Sequence, residues 1–262
     1  MSRPPGPKIK KYEMAYRIWL RKLFRLFGKF TREQAAKALA EDKDLPPDLV
    51  DYFYSKINFE PVNKAFVGVL SENEKYFQTL IKDLVKESQK KELKTIPKEV
   101  KRLITEAFPQ KVMATAMGPD IEKKGINFFE LETTKIKDLL QKDFETRKNQ
   151  LDDFRQSFLF NSPKKIETFL EKYPEPKYAF TESMGRTEIN NLNRDLSATM
   201  ATNLGAKKFV WLTSQDERVR ESHRKLNKKE FSYDNMPKEY NDYNCRCTQE
   251  PVFDYLEDLY GF

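Results

Sequence analysis

Between Gly28 and Gly118 the chain contains a single glycine, Gly68. Glycine is among the residues that most disfavour a helix interior, whereas the Glu, Lys and Leu that fill this stretch lose little freedom there. The run therefore directs the first 160 or so residues toward helix, and the apolar spacing agrees. From about Lys10 to Phe30, Tyr12, Tyr16, Trp19, Leu20, Leu23, Phe24 and Phe27 recur at helical intervals. "FTREQAAKALAE" reads as a separate following helix, with Thr31 and Gln34 spaced as a capping box. Pro46-Pro47 suits another helix start. A long helix is expected from about Pro61 to Leu93, on a stripe of Val62, Phe66, Val69, Leu70, Phe77, Leu80, Ile81 and Leu84. A second covers about Phe128 to Phe160, through Ile136, Leu139, Leu140, Phe144, Leu151, Phe154 and Phe158. Pro97, Pro109 and the Gly118-Pro119 pair mark shorter helices and turns between them.

The pattern changes after about residue 160. Ser162-Pro163 opens a short helix that ends before "YPEPKYAF". A further helix reaches about Gly205, and "KKFVWLT" reads as a strand. Ser214 to Glu217 form a second capping box, predicting a helix through about Leu226, and "CRCTQEPVF" carries a last strand. The expected fold class is α+β, mostly α. Three parts are expected: a basic N-terminal arm and amphipathic helix over 1–30, a helical region over 31–160, and a small α+β domain over 161–262.

The composition is polar for a compact globule, at 34% charged and 39% hydrophobic residues with a mean hydropathy of -0.78. Such a balance suits long solvated helices, or a subunit whose apolar faces are completed by partners. No apolar run of about 18 residues exists, so no membrane span is expected. Arg21, Lys22 and Arg25 interrupt what would be the apolar core of a signal peptide.

The net charge of +7 is unevenly placed. Residues 1–30 carry nine cations (Arg3, Lys8, Lys10, Lys11, Arg17, Arg21, Lys22, Arg25 and Lys29) against Glu13, a balance of +8 that leaves the rest at -1. The pI of 9.1 is thus a property of the arm, and a nucleic-acid surface over the whole protein does not follow from it. Lys8, Lys10, Lys11, Arg17, Arg21, Lys22 and Arg25 become candidate contacts to a nucleic acid or a protein partner. Packing of this helix on its own domain is the plainer alternative.

The chain has one histidine, His223, and two cysteines, Cys245 and Cys247, all within its last fifth. So short a Cys-x-Cys loop strains disulfide geometry, so free thiols are expected. On the helix predicted after Ser214, Asp216, Val219, His223 and Leu226 share one face. On a strand, Cys245 and Cys247 point to one side. If the two elements pack together, the three soft side chains converge, and zinc is the metal that accepts them in a tetrahedron of four. The fourth ligand would be Asp216, Asp234, Asp242 or water. The alternative is a buried histidine hydrogen-bonded to a carboxylate, beside two cysteines acting as small apolar core residues. Nearby charges have structural explanations: Asp216 with Arg220 and Glu221 with Lys225 are spaced as helix pairs, and Arg186 and Glu188 suit an internal ion-pair network. No nucleophile elbow, HExxH or phosphate loop occurs.

Three segments, "GRTEIN" (185–190), "KKFVWLTSQDERVRESHRKLN" (207–227) and "NCRCTQEP" (244–251), follow one another in an order that resembles the Mu-F-type phage head morphogenesis family, the minor head proteins of tailed phages. The matching residues are Arg186, Thr187, Glu188, Trp211, Thr213, Asp216, Arg218, Val219, Arg220, His223, Leu226, Cys245, Arg246, Cys247 and Pro251, and the resemblance covers about 160–253. Two positions depart from it. Asn227 stands where many members have a turn glycine, which a left-handed Asn would replace, and the usual proline pair is reduced to Met236-Pro237. The resemblance implies a non-enzymatic virion structural protein acting in head assembly, in few copies near the portal vertex, after assembly in the host cytoplasm. Portal protein, major capsid or scaffolding protein and DNA are the implied partners. It also implies structural roles for Arg186, Glu188, Trp211, Arg218, Arg220 and Arg246. Two alternatives stand beside it: a metal-dependent hydrolase or nuclease built on His223, Cys245, Cys247 and Asp216, and a nucleic-acid binder acting through the arm.

Overall fold

A computed structural model of the chain describes residues 6–92, 108–157, 162–173, 178–214 and 216–253. Expectations for the first five residues, Pro97, Phe158, Phe160 and the "PEPK" stretch fall outside them. The elements are, in order, α1 (Lys10–Glu41), α2 (Leu49–Tyr54), α3 (Glu60–Glu92), α4 (Phe108–Ala116), α5 (Pro119–Gln156), α6 (Pro163–Lys172), α7 (Tyr178–Asn203), β1 (Lys208–Leu212), α8 (Glu221–Arg224), β2 (Glu230–Ser232), a 3-10 turn (Lys238–Asn241) and β3 (Thr248–Val252). The fold is mostly α, with a small α+β part at its C-terminal end. Among the described residues no helix is long and apolar enough to cross a membrane.

The two N-terminal helices expected from sequence are one. Thr31 does not cap a second helix; it is buried, and its hydroxyl donates to the carbonyls of Phe27 and Gly28 at 3.0 and 3.1 Å within the continuing α1. The helix stops at Asp42, which takes the left-handed conformation (φ 51°) while Lys43 N–H closes onto Ala38 O. Helix α5 begins at Pro119 rather than near Phe128, because Gly118 stands at its N-cap, Pro119 occupies its first turn, and Asp120 and Glu122 complement its dipole. Gly125 lies inside this helix because the Phe66 ring of α3 packs on it: a Cβ there would stand 2.7 Å from that ring. Pro109, expected at a turn, sits in the first turn of α4.

The main core joins four helices. Tyr16, Leu20, Phe24 and Phe27 of α1 meet Val62, Val69, Phe77 and Ile81 of α3, Ile136, Leu140, Phe144 and Leu151 of α5, and Ile189, Leu192, Leu196 and Met200 of α7. Each fully buried side chain of this kind contributes about 1.5–3 kcal/mol. Helices α1 and α7 come close enough for backbone contact. A Cβ on Gly185 would lie 2.5 Å from Arg17 Cγ and 3.3 Å from Arg17 Cα.

Strand β1 is central in an antiparallel sheet of order β2-β1-β3, with Phe209 opposite both Phe231 and Pro251. Strand β2 had no sequence signal of its own. A second, smaller core comprises Phe209, Trp211, Tyr240, Cys245 and Cys247.

Candidate metal centre and the seam around it

The helix expected from Ser214 to Leu226 shrinks to α8, the four residues Glu221–Arg224. Asp216 does not open a helix: its Oδ1 accepts the Arg218 backbone N–H at 3.0 Å, and Val219 N–H bonds to its carbonyl, forming a local turn. The shared helical face of Asp216, Val219, His223 and Leu226 is therefore not formed. His223 is nevertheless buried at 2% exposure, because α8 sits beside Trp211, whose ring lies 5.8 Å from the imidazole, edge to face. Asn227 is not the left-handed residue of the following turn. Lys228 is (φ 64°), and Asn227 Oδ1 accepts from Thr213 N–H and Oγ1 at 3.0 and 3.1 Å.

Cys245 and Cys247 precede β3, which begins at Thr248, instead of lying on it. Their alternation still points both thiols inward, and both are free and buried. His223 Nδ1 faces the two sulfurs at 3.4 Å (Cys247) and 3.5 Å (Cys245), and the three donor atoms lie within 4.8 Å of one another. The other ring nitrogen, Nε2, is 2.8 Å from Asp242 Oδ2. The Cys245 thiol is drawn down to about 5, first by the hydrogen bond from Cys247, against the opposing effect of burial. Cys247 is pushed well up by the same pairing and by burial. The pairing thus favours the anionic form at Cys245 over Cys247.

Backbone and side chains from α7 hold this cluster in place. Arg194, 1% exposed, donates from Nη1 to the Cys247 carbonyl at 3.3 Å, and its guanidinium lies over the Tyr240 ring. Gln249 Nε2 returns a bond to the Arg194 carbonyl at 2.6 Å. Cys247 N–H donates to Cys245 Sγ at 3.3 Å. Sequence reasoning missed Arg194, Gln249, Tyr240 and Asn244. The one available signal was an arginine set between Leu192 and Leu196 on a helix otherwise packed inward.

The Arg186-Thr187-Glu188 triplet forms a seam between the two parts of the protein. Arg186 pairs with Glu13 of α1 at 3.2 Å and with Asn244 Oδ1 at 2.8 Å. Thr187 Oγ1 accepts the Asn244 backbone N–H at 2.8 Å. Glu188 pairs with Lys135 of α5 at 2.7 Å. The expected internal ion-pair network is present, although Arg186 and Glu188 take different partners.

Asp216 lies outside the group of three donors. Its Oδ2 pairs with Arg246 at 3.4 Å, not with Arg220 as helical spacing suggested. Arg220 reaches Asp242 at 3.4 Å and the Tyr243 carbonyl at 2.6 Å. The Glu221–Lys225 pair forms at 3.1 Å. A cavity of about 90 Å³ opens beside the sulfurs, lined by Arg186, Asp216, Arg218, Arg220, Asn244 and Arg246 among others. Asp234 is exposed on the turn after β2 and does not join the cluster.

The cations of the N-terminal arm are divided. Lys11 pairs with Glu72 at 3.2 Å, Arg17 with Glu13 and Glu182 at 3.3 and 3.2 Å, and Arg21 with Glu182. Lys8, Lys10 and Lys22 are exposed; Arg25 is exposed as well but makes a contact of its own within the protein. The apolar side of the arm's helix packs into the main core, so the amphipathic pattern serves internal packing first.

Residues 165–250 match the family described as Phage Mu protein F like protein. A Haemophilus influenzae protein described as uncharacterized is 39% identical over 80 residues, which cover 29% of this chain and 18% of that protein. The chain therefore spans less than a fifth of the relative's length. No solved structure matches. The family match coincides with the part of the molecule that contains the cluster, the seam and the sheet.

Proposed function

We propose that this chain is a structural component of a phage head, acting in head assembly and not as an enzyme. The observation that carries this reading is the match over residues 165–250, which begins in α6 and ends within β3. It takes in the whole seam and the cluster, so what is shared with the family includes the part that gives the C-terminal unit its shape. In this reading the protein is present in few copies near the portal vertex of the virion and is assembled in the host cytoplasm. Its C-terminal unit is a compact, rigid module. The exposed faces of the long helices and the exposed lysines of α1, Lys10 and Lys22, contact portal, major capsid or scaffolding protein, or DNA. Met14, Ile18 and Leu26 are apolar and exposed on the same helix as these cations, as expected for a surface completed by a partner.

The test is co-expression with a portal protein and a major capsid protein of the phage that carries this gene, followed by gradient sedimentation. The proposal expects the chain to travel with the portal ring or the assembled shell. Sedimentation only as a free small species, with shells forming normally beside it, contradicts it.

One observation favours a second reading, a metal-dependent hydrolase or nuclease: the donor atoms border a cavity with several arginines, suited to a phosphate. This reading requires zinc-stimulated cleavage of DNA or of a simple phosphodiester by the purified chain. Absence of cleavage with zinc supplied discards it.

A further inference from the structure

We infer that His223 Nδ1, Cys245 Sγ and Cys247 Sγ are three ligands of a zinc ion whose fourth coordination position opens into the adjoining arginine-lined cavity. The inference rests on local geometry and does not depend on the head-assembly reading.

Zinc binds sulfur at about 2.3 Å and imidazole nitrogen at about 2.0 Å, so in a tetrahedron the nitrogen and each sulfur stand about 3.6 Å apart. The observed separations are 3.4 and 3.5 Å. The nitrogen thus already stands at ligand spacing from each sulfur to within a few tenths of an ångström, and all three atoms lie within 4.8 Å of one another. Thiolate and imidazole are the donors that suit zinc, whereas calcium and magnesium take oxygen.

A metal-binding histidine almost always uses its other ring nitrogen to donate to a carboxylate or carbonyl, which fixes its tautomer and orientation. Here Asp242 Oδ2 stands 2.8 Å from Nε2, leaving Nδ1 to face the sulfurs. Cys245 Sγ accepts the Cys247 N–H, and Arg194 fixes the Cys247 carbonyl. The donors are therefore held by groups that are not donors themselves.

Among the described residues the core under the sheet has five buried side chains, and two of them are the cysteines. A core this small gains from a staple. One zinc with two thiolates and a neutral imidazole carries no net charge, so it can be buried there. It would fasten α8 to the turn before β3, two segments with little secondary structure between them. Asp216 is not among the donor atoms gathered within 4.8 Å, and its carboxylate faces Arg246 instead. The fourth position is left to water or to an entering oxygen ligand.

The experiment uses the full chain, purified under reducing conditions without chelator. Zinc is measured per chain by mass spectrometry, and the chelator-treated protein is titrated with cobalt(II). The expected results are one zinc per chain and a cobalt spectrum with thiolate-to-metal charge-transfer and tetrahedral ligand-field bands. Cys245→Ser should lower metal affinity at least tenfold, Asp242→Asn about 10- to 100-fold, and Asp216→Asn should leave it unchanged. The cobalt spectrum of the unaltered chain keeps the test decisive should a variant fail to fold. Absence of zinc together with absence of the sulfur charge-transfer band overturns the site. Loss of metal in Asp216→Asn, in a folded variant, overturns the open fourth position.

Discussion

Arg186 and Asn244, 58 residues apart in sequence, meet through a 2.8 Å hydrogen bond from Nη1 to Oδ1. Asn244 stands in the left-handed conformation (φ 61°) immediately before Cys245, and its backbone N–H is held by Thr187. This one residue sets the direction in which the first cysteine enters the cluster. Asn244→Ala should destabilise the protein by about 2 kcal/mol, through loss of the arginine's partner and because Ala tolerates the left-handed conformation less well than Asn. Asn244→Gly keeps the backbone freedom and should cost less, about 1 kcal/mol. Denaturant unfolding of the two variants checks this, and equal losses would contradict the backbone argument.

The crossing of α1 and α7 is set by Gly185. An added methyl would meet Arg17, including its Cα, at distances that only movement of one helix can relieve. Gly185→Ala is therefore expected to destabilise by about 1–3 kcal/mol, even though alanine is the better helix former. A higher midpoint in thermal unfolding would show that the approach is looser than the structure has it.

Glu132 introduces a pH dependence. It is fully buried in α5, accepts the Tyr16 hydroxyl at 2.5 Å, and its carboxyl is pushed up to about 7, first by burial and then by the neighbouring Glu188 carboxylate. A folded-state value above the unfolded one of 4.5 means the native state binds more protons between those limits. Stability should accordingly fall as pH rises from about 4.5 to about 7, by on the order of 3 kcal/mol. Glu132→Gln can still accept from Tyr16 and should flatten this slope and raise stability at pH 8. Urea unfolding at pH 5.5 and pH 8 measures both, and an unchanged slope in the variant would assign the dependence elsewhere.

The basic arm offers fewer cations than its sequence promised. Lys11, Arg17 and Arg21 are already paired with acids of the protein. Any DNA affinity of the described part of the arm should depend chiefly on Lys8, Lys10 and Lys22, with a salt slope no steeper than about -3 in log–log form. Replacing these three by alanine should abolish that slope in a filter-binding series. A steeper slope that survives the replacement would place DNA contacts on another surface.

Helix periodicity made the helical body legible: the buried faces of α3 and α5 are largely those marked by Val62, Val69, Phe77, Ile136, Leu140 and Phe144. Local signals misplaced boundaries where a tertiary use of the same residue won. Thr31 had a capping pattern but is buried inside α1, and Ser214 to Glu217 had one but gave way to a turn whose acid bonds Arg246. Residue type alone identified the cluster of His223, Cys245 and Cys247. Its supports were not legible, because Arg194 and Asn244 act through backbone groups brought together across more than 50 residues. Asp242 could be named only as one of several acids; the contact with Nε2 gives it a role as the histidine's partner.

The most direct measurement is the protein content of purified phage particles assembled in cells that express this chain. Quantitative mass spectrometry should find the chain in the particles at a few copies relative to the major capsid protein, and particles made without it should be incomplete or fewer. Complete particles that lack the chain, formed equally well without its gene, would contradict the account.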